Sequence, residues 1–226
     1  MMLGIIRWDI ITDYAPMLFK IGLLTTLKLT VVAVGVGTVL GLFISLMRLS
    51  TSKTISFIGA VYVDFFRGTP LLLQILMFNY AIMPIFAKGV PSIVNGLVAL
   101  SLNSAAYIAE IFRAGIQSID RGQMEAARSL GMTHGQAMRF IIIPQAFKRV
   151  IPALGNEFIA MLKDSSLVSV IAVQELAMTG TLISGRTSRA FEAYIPVAVL
   201  YLMLTMVLSQ FVAYLERRFG KSDIRA

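Results

Sequence analysis

"LTVVAVGVGTVLGLFISLM", residues 29–47, runs for 19 positions without a charged side chain. A helix rises about 1.5 Å per residue, so a run of this length crosses most of a hydrocarbon core about 30 Å thick. Working outward, the run extends past Lys28 to about residue 21 and ends at Arg48. A second apolar stretch starts near Thr54, tolerates Asp64 and Arg67, and is then uncharged from Gly68 to Ala87. A third is uncharged from Gly89 to Ala109, and a fifth from Ala193 to Leu215. The fourth, Val150 to Leu176, is interrupted by Glu157 and by "LKDSSL" at 162–167. The expectation is an all-α polytopic membrane protein with five transmembrane helices at about 21–47, 54–87, 89–112, 150–176 and 193–215. Residues 1–226 carry no internal repeat or low-complexity linker, so they read as one membrane domain.

Composition agrees. Of 226 residues, 57% are hydrophobic and 14% charged, against about 25% charged in soluble domains. The net charge of +8 invites a nucleic-acid reading, but the placement of the basic residues argues against it. With the C-terminus inside, twelve basic residues face the cytoplasm: Arg48, Lys53, Arg113, Arg121, Arg128, Arg139, Lys148, Arg149, Arg217, Arg218, Lys221 and Arg225. Five face outward: Arg7, Lys20, Lys88, Arg186 and Arg189. That bias predicts an N-out, C-in orientation and makes the basic excess a topology signal. The N-terminal stretch has no basic n-region, compact apolar core and small-residue cleavage site. It reads as retained, with the first span as insertion signal. There is no cysteine, hence no disulfide, thiolate or iron–sulfur chemistry.

This topology leaves one long cytoplasmic loop, about 113–149, whose centre reads "EAARSLGMTHGQAMRFIIIP" over 125–144. A helix lying on the lipid surface would need a broad apolar face opposite its basic residues. "RGQMEAARSLG" is small, polar and alanine-rich instead, which suits close docking against protein. Gly131 divides two short helical pieces, and Pro144 is expected to close the second. Glu125 is expected to favour the dipole at the start of the first piece.

Glu125-Ala126-Ala127, then Gly131 four positions after Ala127, then nine residues and Ile141-Ile142-Ile143-Pro144 resemble the cytoplasmic motif of ABC importer membrane subunits. Their pattern ends Ile-x-Leu-Pro, so Ile143 is the one departure. More of the chain resembles the permeases for polar amino acids (histidine, glutamate, glutamine, arginine, opines). The matching stretches are "FFRGTPLLLQ" at 65–74, "SLNSAAYIAEIFRAGIQSIDRGQ" at 101–123, "PQAFKRVIPALGNEFIAMLKDSSL" at 144–167 and the terminal "ERRFGKSDIR". The resemblance implies that Glu125, Ala126, Ala127, Gly131 and Pro144 belong to a coupling helix seated on a cytoplasmic ABC ATPase dimer. It also implies a second permease subunit, identical or closely related, an extracytoplasmic amino-acid-binding protein, and a place in the bacterial plasma (inner) membrane. A rigid protruding helix can pass a rigid-body movement to the spans, which a flexible loop would absorb.

"FGKS" at 219–222 lacks the upstream glycine of a phosphate-binding loop; Leu215 stands there. ATP and magnesium are therefore expected on the partner, with no catalytic residue, metal or cofactor in this chain. His134, the single histidine, lies in the loop, where it reads as solvated or ATPase-facing. The scattered methionines read as packing.

The third span has its middle near Leu102 and the fourth near Lys163. Asn103, Ser104, Lys163, Asp164, Ser165 and Ser166 thus share one depth, with Gln74 close by. Polar groups there are costly, so they read as functional or mutually paired. A zwitterionic amino acid needs a cation for its carboxylate and acceptors for its ammonium, which Lys163 and Asp164 could supply, with Asn103 and the serines as hydrogen-bonding groups. Alternatively, these charges pair with each other, with Glu110 or with Glu157. Neighbouring helical residues point about 100° apart, so only one of the two faces a small ligand directly. Asp64 and Arg67, three apart, read as an ion pair on one helix face. The outer half of the second span has no carboxylate, which leans toward an uncharged polar substrate such as glutamine, with arginine and histidine still open. The competing functional class is a secondary carrier or channel for small polar solutes. A carrier normally shows two halves in one chain or an ion site, and neither is visible here.

Overall fold

Backbone amides and carbonyls in lipid have no water to bond, so a chain this apolar meets its own hydrogen bonds by coiling into helices. The computed structural model describes residues 6–220. The expectations placed on Lys221, Arg225, the end of the terminal motif and the first residues of the N-terminus lie outside them. Eight helices follow in order: α1 Trp8–Arg48, α2 Lys53–Gly68, α3 Leu71–Phe86, α4 Ser92–Gln117, α5 Arg121–Ser129, α6 His134–Ile171, α7 Leu176–Thr187 and α8 Ala190–Gly220.

Three of these, α1, α4 and α8, are long and apolar enough to cross a membrane alone. The other two spans are broken. α2 and α3 meet at 103°, and α6 and α7 at 47°; each pair counted once makes five. Two expectations are corrected here. The second span is an elbow rather than a straight rod, because Pro70 lacks the N–H that would continue the ladder. The fourth breaks after Ile171, where Ala172 takes a left-handed φ of 60°.

Pro144 does not close a helix as expected. α6 runs through it, with a π-helical turn at Met138–Ile142 immediately ahead. The same arrangement recurs at Phe78–Ile82 before Pro84. The wider turn relieves the clash between a proline ring and the preceding carbonyl, so the helix continues.

α1 and α4 cross at close range. A Cβ on Gly37 would lie 2.9 Å from the Ser104 Cβ, and one on Gly41 would lie 2.9 Å from the Ala105 carbonyl oxygen. These glycines, four apart, form the small-residue seam that lets helices pack in lipid without a hydrophobic driving force. The core beside it joins Leu29 and Ala33 of α1, Ile75 of α3, Leu100 of α4 and Met161 and Val168 of α6. The first turns of α1 reach farther than the expected span and dock on the start of α8. Ile10 and Leu18 pack with Leu176, Ile183 and Val197, and the Arg7 amide donates to Glu192 at 3.2 Å.

Candidate functional site

The elbow determines what lies beside it. Without a donor on Pro70, the Phe66 carbonyl is left open, and Thr69 leaves the helix with an extended backbone. Gln74 Nε2 donates to Phe66 O at 2.8 Å and to the carbonyl and hydroxyl of Thr69 at 3.1 and 2.8 Å. Asn103 Nδ2, from α4, donates to Phe66 O at 3.2 Å and to Gln74 Oε1 at 3.0 Å. The Thr69 hydroxyl donates to Phe65 O, and Tyr62 to Leu102 O. The structure therefore brings Gln74 and Asn103 together, with their donors directed at the elbow's carbonyls. Ser165 is also turned inward, donating to Leu162 O at 2.8 Å.

The remaining polar residues form an adjacent face. Ser104 donates to Glu157 Oε1 at 3.1 Å. Glu157 and Asp164 are seven apart on α6, about 20° from alignment, so they look the same way. Lys163 is exposed on the neighbouring face, as is Asn156 one heptad before it, while Asp164 and Ser166 are half-buried. In the sequence Glu157 reads as an interruption of an apolar run and as a candidate ion-pair partner of Lys163 or Asp164. Its partner lies 53 residues away, which no local pattern reveals.

Asp64 and Arg67 do not form the expected pair. Asp64 lies 4.0 Å from Arg48, while the Arg67 guanidinium stacks 5.2 Å over the Tyr107 ring. Arg48 also reaches Glu110 at 3.9 Å, and Arg113 pairs with Glu110 on α4. These charges tie α1, α2 and α4 together below the elbow.

A second buried carboxylate was also missed. Glu175, fully buried at the α6–α7 bend, accepts from the amides of Ala177 and Met178 at 2.8 and 2.7 Å and from the Tyr201 hydroxyl at 2.8 Å. It caps α7 and ties it to α8.

At the other end, the α5–α6 turn is closed by its own residues. Asp120, not Glu125, caps α5, accepting from the Gly122 amide at 2.6 Å; Glu125 lies beyond the first turn, where the dipole has faded. Gly131 has a φ of 85°, and the Met132 and Gly131 amides donate to Ala127 O and Arg128 O. This is the six-to-one and five-to-two closure that a left-handed glycine allows. Thr133 and Gln136 then exchange side-chain-to-backbone bonds at 3.2 and 2.8 Å and start α6. Ala127 is buried, whereas Glu125, Ala126, His134 and Pro144 are exposed. Leu130, passed over in the sequence, is 85% exposed at the tip of the turn. Among the described residues, no three of His, Asp or Glu gather to hold a metal ion.

Comparison with known proteins agrees with this architecture. Residues 37–221 match the family described as binding-protein-dependent transport system inner membrane component. The chain is 44% identical over 201 residues to the probable glutamine ABC transporter permease protein GlnM of Bacillus subtilis (strain 168), covering 89% of this chain and 93% of that protein. It is 37% identical to the arginine transport system permease protein ArtQ of the same organism, over 89% of this chain and 92% of that one. The glutamate/aspartate import permease protein GltK of Escherichia coli O6:H1 is 38% identical, over 93% and 97%. A solved chain described as a crystal structure of an amino acid ABC transporter with histidines superposes with a TM-score of 0.90 at 47% identity, covering 94% of this chain and 99% of that one. With the family's motif on an exposed rigid turn and relatives that are amino-acid ABC permeases, the chain belongs to the binding-protein-dependent transport system inner membrane components, as an ABC importer permease.

Proposed function

We propose that this chain forms the translocation pathway for a polar amino acid whose side chain carries hydrogen-bond donors, of the glutamine, arginine or histidine class. The carrying observation is the face of Glu157 and Asp164, with buried Ser104 bonded to Glu157 from behind and Lys163 exposed beside it. Lipid cannot cover such a face at bilayer depth, so a water-filled pathway or a second permease subunit does. One of the two acids, Glu157 or Asp164, takes the substrate ammonium directly, and Lys163, turned about 100° from Asp164, meets the carboxylate through water. The second acid is left for a side-chain donor, which suits glutamine, arginine and histidine alike and removes the lean toward glutamine. Gln74, Asn103 and Ser165 shape this face from behind it, and Ser166 borders it. The names of the relatives, which span glutamine, arginine and glutamate/aspartate, leave the choice to the site.

The basic-residue bias supports an N-out, C-in orientation, which puts the α5–α6 turn in the cytoplasm. There it docks on an ATPase dimer that holds ATP and magnesium, and an extracytoplasmic binding protein delivers substrate to the opposite face. Uptake in proteoliposomes with the cognate ATPase and binding protein tests the site. Asp164→Asn should raise the KM for uptake at least about tenfold, the loss of one charge-assisted bond of about 1.5–3 kcal/mol, and Lys163→Met should raise it by less. Basal ATP hydrolysis should be unchanged. Arginine, histidine or glutamine should compete, and glutamate should not. Wild-type KM in both variants would make the face structural.

A further inference from the structure

α6 has two opposed faces. One carries the polar and charged residues Asn156, Glu157, Lys163 and Asp164. The other carries Ile151, Gly155 and Phe158, turned about half a revolution away at 100° per residue. On that second side α6, α8 and α1 leave an apolar groove. Its lower part, about 380 Å³, lies between Val34, Ile151, Gly155, Phe158 and Leu215. Its upper part, about 290 Å³, continues past Phe158 and Leu208, which line both, to Leu27 and Met203. Gly155 makes the floor, since a Cβ there would lie 2.6 Å from Val212 Cγ2.

The geometry points to a bound phospholipid with an anionic headgroup as the occupant of this groove. Three observations carry it. The groove runs from Leu215 to Met203 on α8, about 18 Å of helix, close to the depth of one leaflet in a core about 30 Å thick. Its wall is apolar throughout, as an acyl chain requires. At its coupling-turn end, Lys148 stands one turn below Ile151 on the same face of α6, and exposed Arg218 stands one turn beyond Leu215 on α8. Basic side chains at that level attract anionic headgroups of the cytoplasmic leaflet. A second permease copy is the rival occupant. It fits the polar face better, because that face cannot be left to lipid.

Native mass spectrometry of the assembled permease–ATPase complex, offered equimolar phosphatidylglycerol and phosphatidylcholine, reads the occupant directly. Retained phosphatidylglycerol should exceed phosphatidylcholine at least about fivefold, the worth of one basic residue near the surface. Lys148→Ala with Arg218→Ala should bring the ratio close to one while the complex stays assembled. Val207→Trp, which fills the upper groove, should lower retention of both lipids. Phe43→Trp, on the outward side of α1, should change neither. Three results overturn the assignment: an equal ratio in the wild type, a ratio unmoved by the double substitution, or lipid retained undiminished with the groove filled. If the intact complex holds no lipid there, protein covers the groove and the second-copy reading replaces this one.

Discussion

Two of the chain's sharp changes of direction are closed in opposite ways. At the coupling turn, Asp120 to Gln136, every closing bond comes from within a few residues: the Asp120 cap, the left-handed Gly131, the Thr133–Gln136 exchange. At the elbow, the carbonyls opened by Pro70 are met by Gln74 and by Asn103, which lies 37 residues beyond Phe66. The difference follows from the solvent. The turn is exposed, so water can meet a backbone group left open there, and local chemistry is enough. The elbow lies in an apolar bundle where an open carbonyl has nowhere else to turn, so side chains are recruited from another helix.

The largest expected effect breaks the comparison at its buried end. Asn103→Leu keeps the branched shape, with a somewhat larger side chain, but leaves Phe66 O one donor short and removes the partner of Gln74 Oε1. Each buried group left unmet costs about 1–3 kcal/mol. The detergent-solubilised complex should lose thermal stability and accumulate less, with a KM change that is secondary. Thermal unfolding of purified Asn103→Leu beside Lys163→Met checks it. If Asn103→Leu unfolds with the wild type and only its KM rises, the amide belongs to the substrate face and the elbow does not depend on it.

That contrast also explains what could be read beforehand. Four spans followed from long uncharged runs and the α5–α6 turn from Gly131 and the spaced motif around it, since these signals are local, while the fourth span had to be read through Glu157, Lys163 and Asp164. The elbow announced itself only as Pro70 within an apolar stretch. Gln74 and Asn103 read as substrate ligands because buried amides are costly, and cost alone does not say who the partner is. Glu157 needed Ser104 opposite it before it meant anything. Arg67, three residues from Asp64, stacks on an aromatic ring while Asp64 finds Arg48, so sequence spacing named the wrong partner. Pro144 reads as a stop because a proline in a helix interior usually is one. The π-helical turn that carries α6 through it has no residue signature of its own.

A smaller effect is expected at the exposed end. Gly131→Val forces a β-branched residue to a φ of 85°, at about 1–2 kcal/mol of local strain. The spans would still fold, because Gly131 is exposed and a side chain there meets nothing within 4 Å. The angle between α5 and α6 would change, and with it the placement of exposed Leu130 against the ATPase. ATP hydrolysis should continue while the uptake obtained per ATP falls severalfold. Gly131→Asn should lie between, because asparagine tolerates the left-handed region better than valine. Coupled transport at the wild-type ratio in the valine variant would remove the turn from the coupling path.

The smallest expected effect separates the strain at Gly131 from the bonds beside it. Thr133→Ala removes the hydroxyl that accepts the Gln136 amide, and with it half of the reciprocal pair that starts α6. In water, an N-cap of this kind contributes about 1 kcal/mol. Both Thr133 and Gln136 are exposed, so solvent can take up the freed amide, unlike the carbonyls of the elbow. Transport should fall less than twofold or not at all, while hydrogen exchange at the amides of Gly135 and Gln136 quickens. An effect on coupling as large as that of Gly131→Val would mean that the turn works through its capping bonds rather than its backbone angle. The rule drawn from the contrast, that exposed closures are individually dispensable and buried ones are not, would then fail at its exposed end.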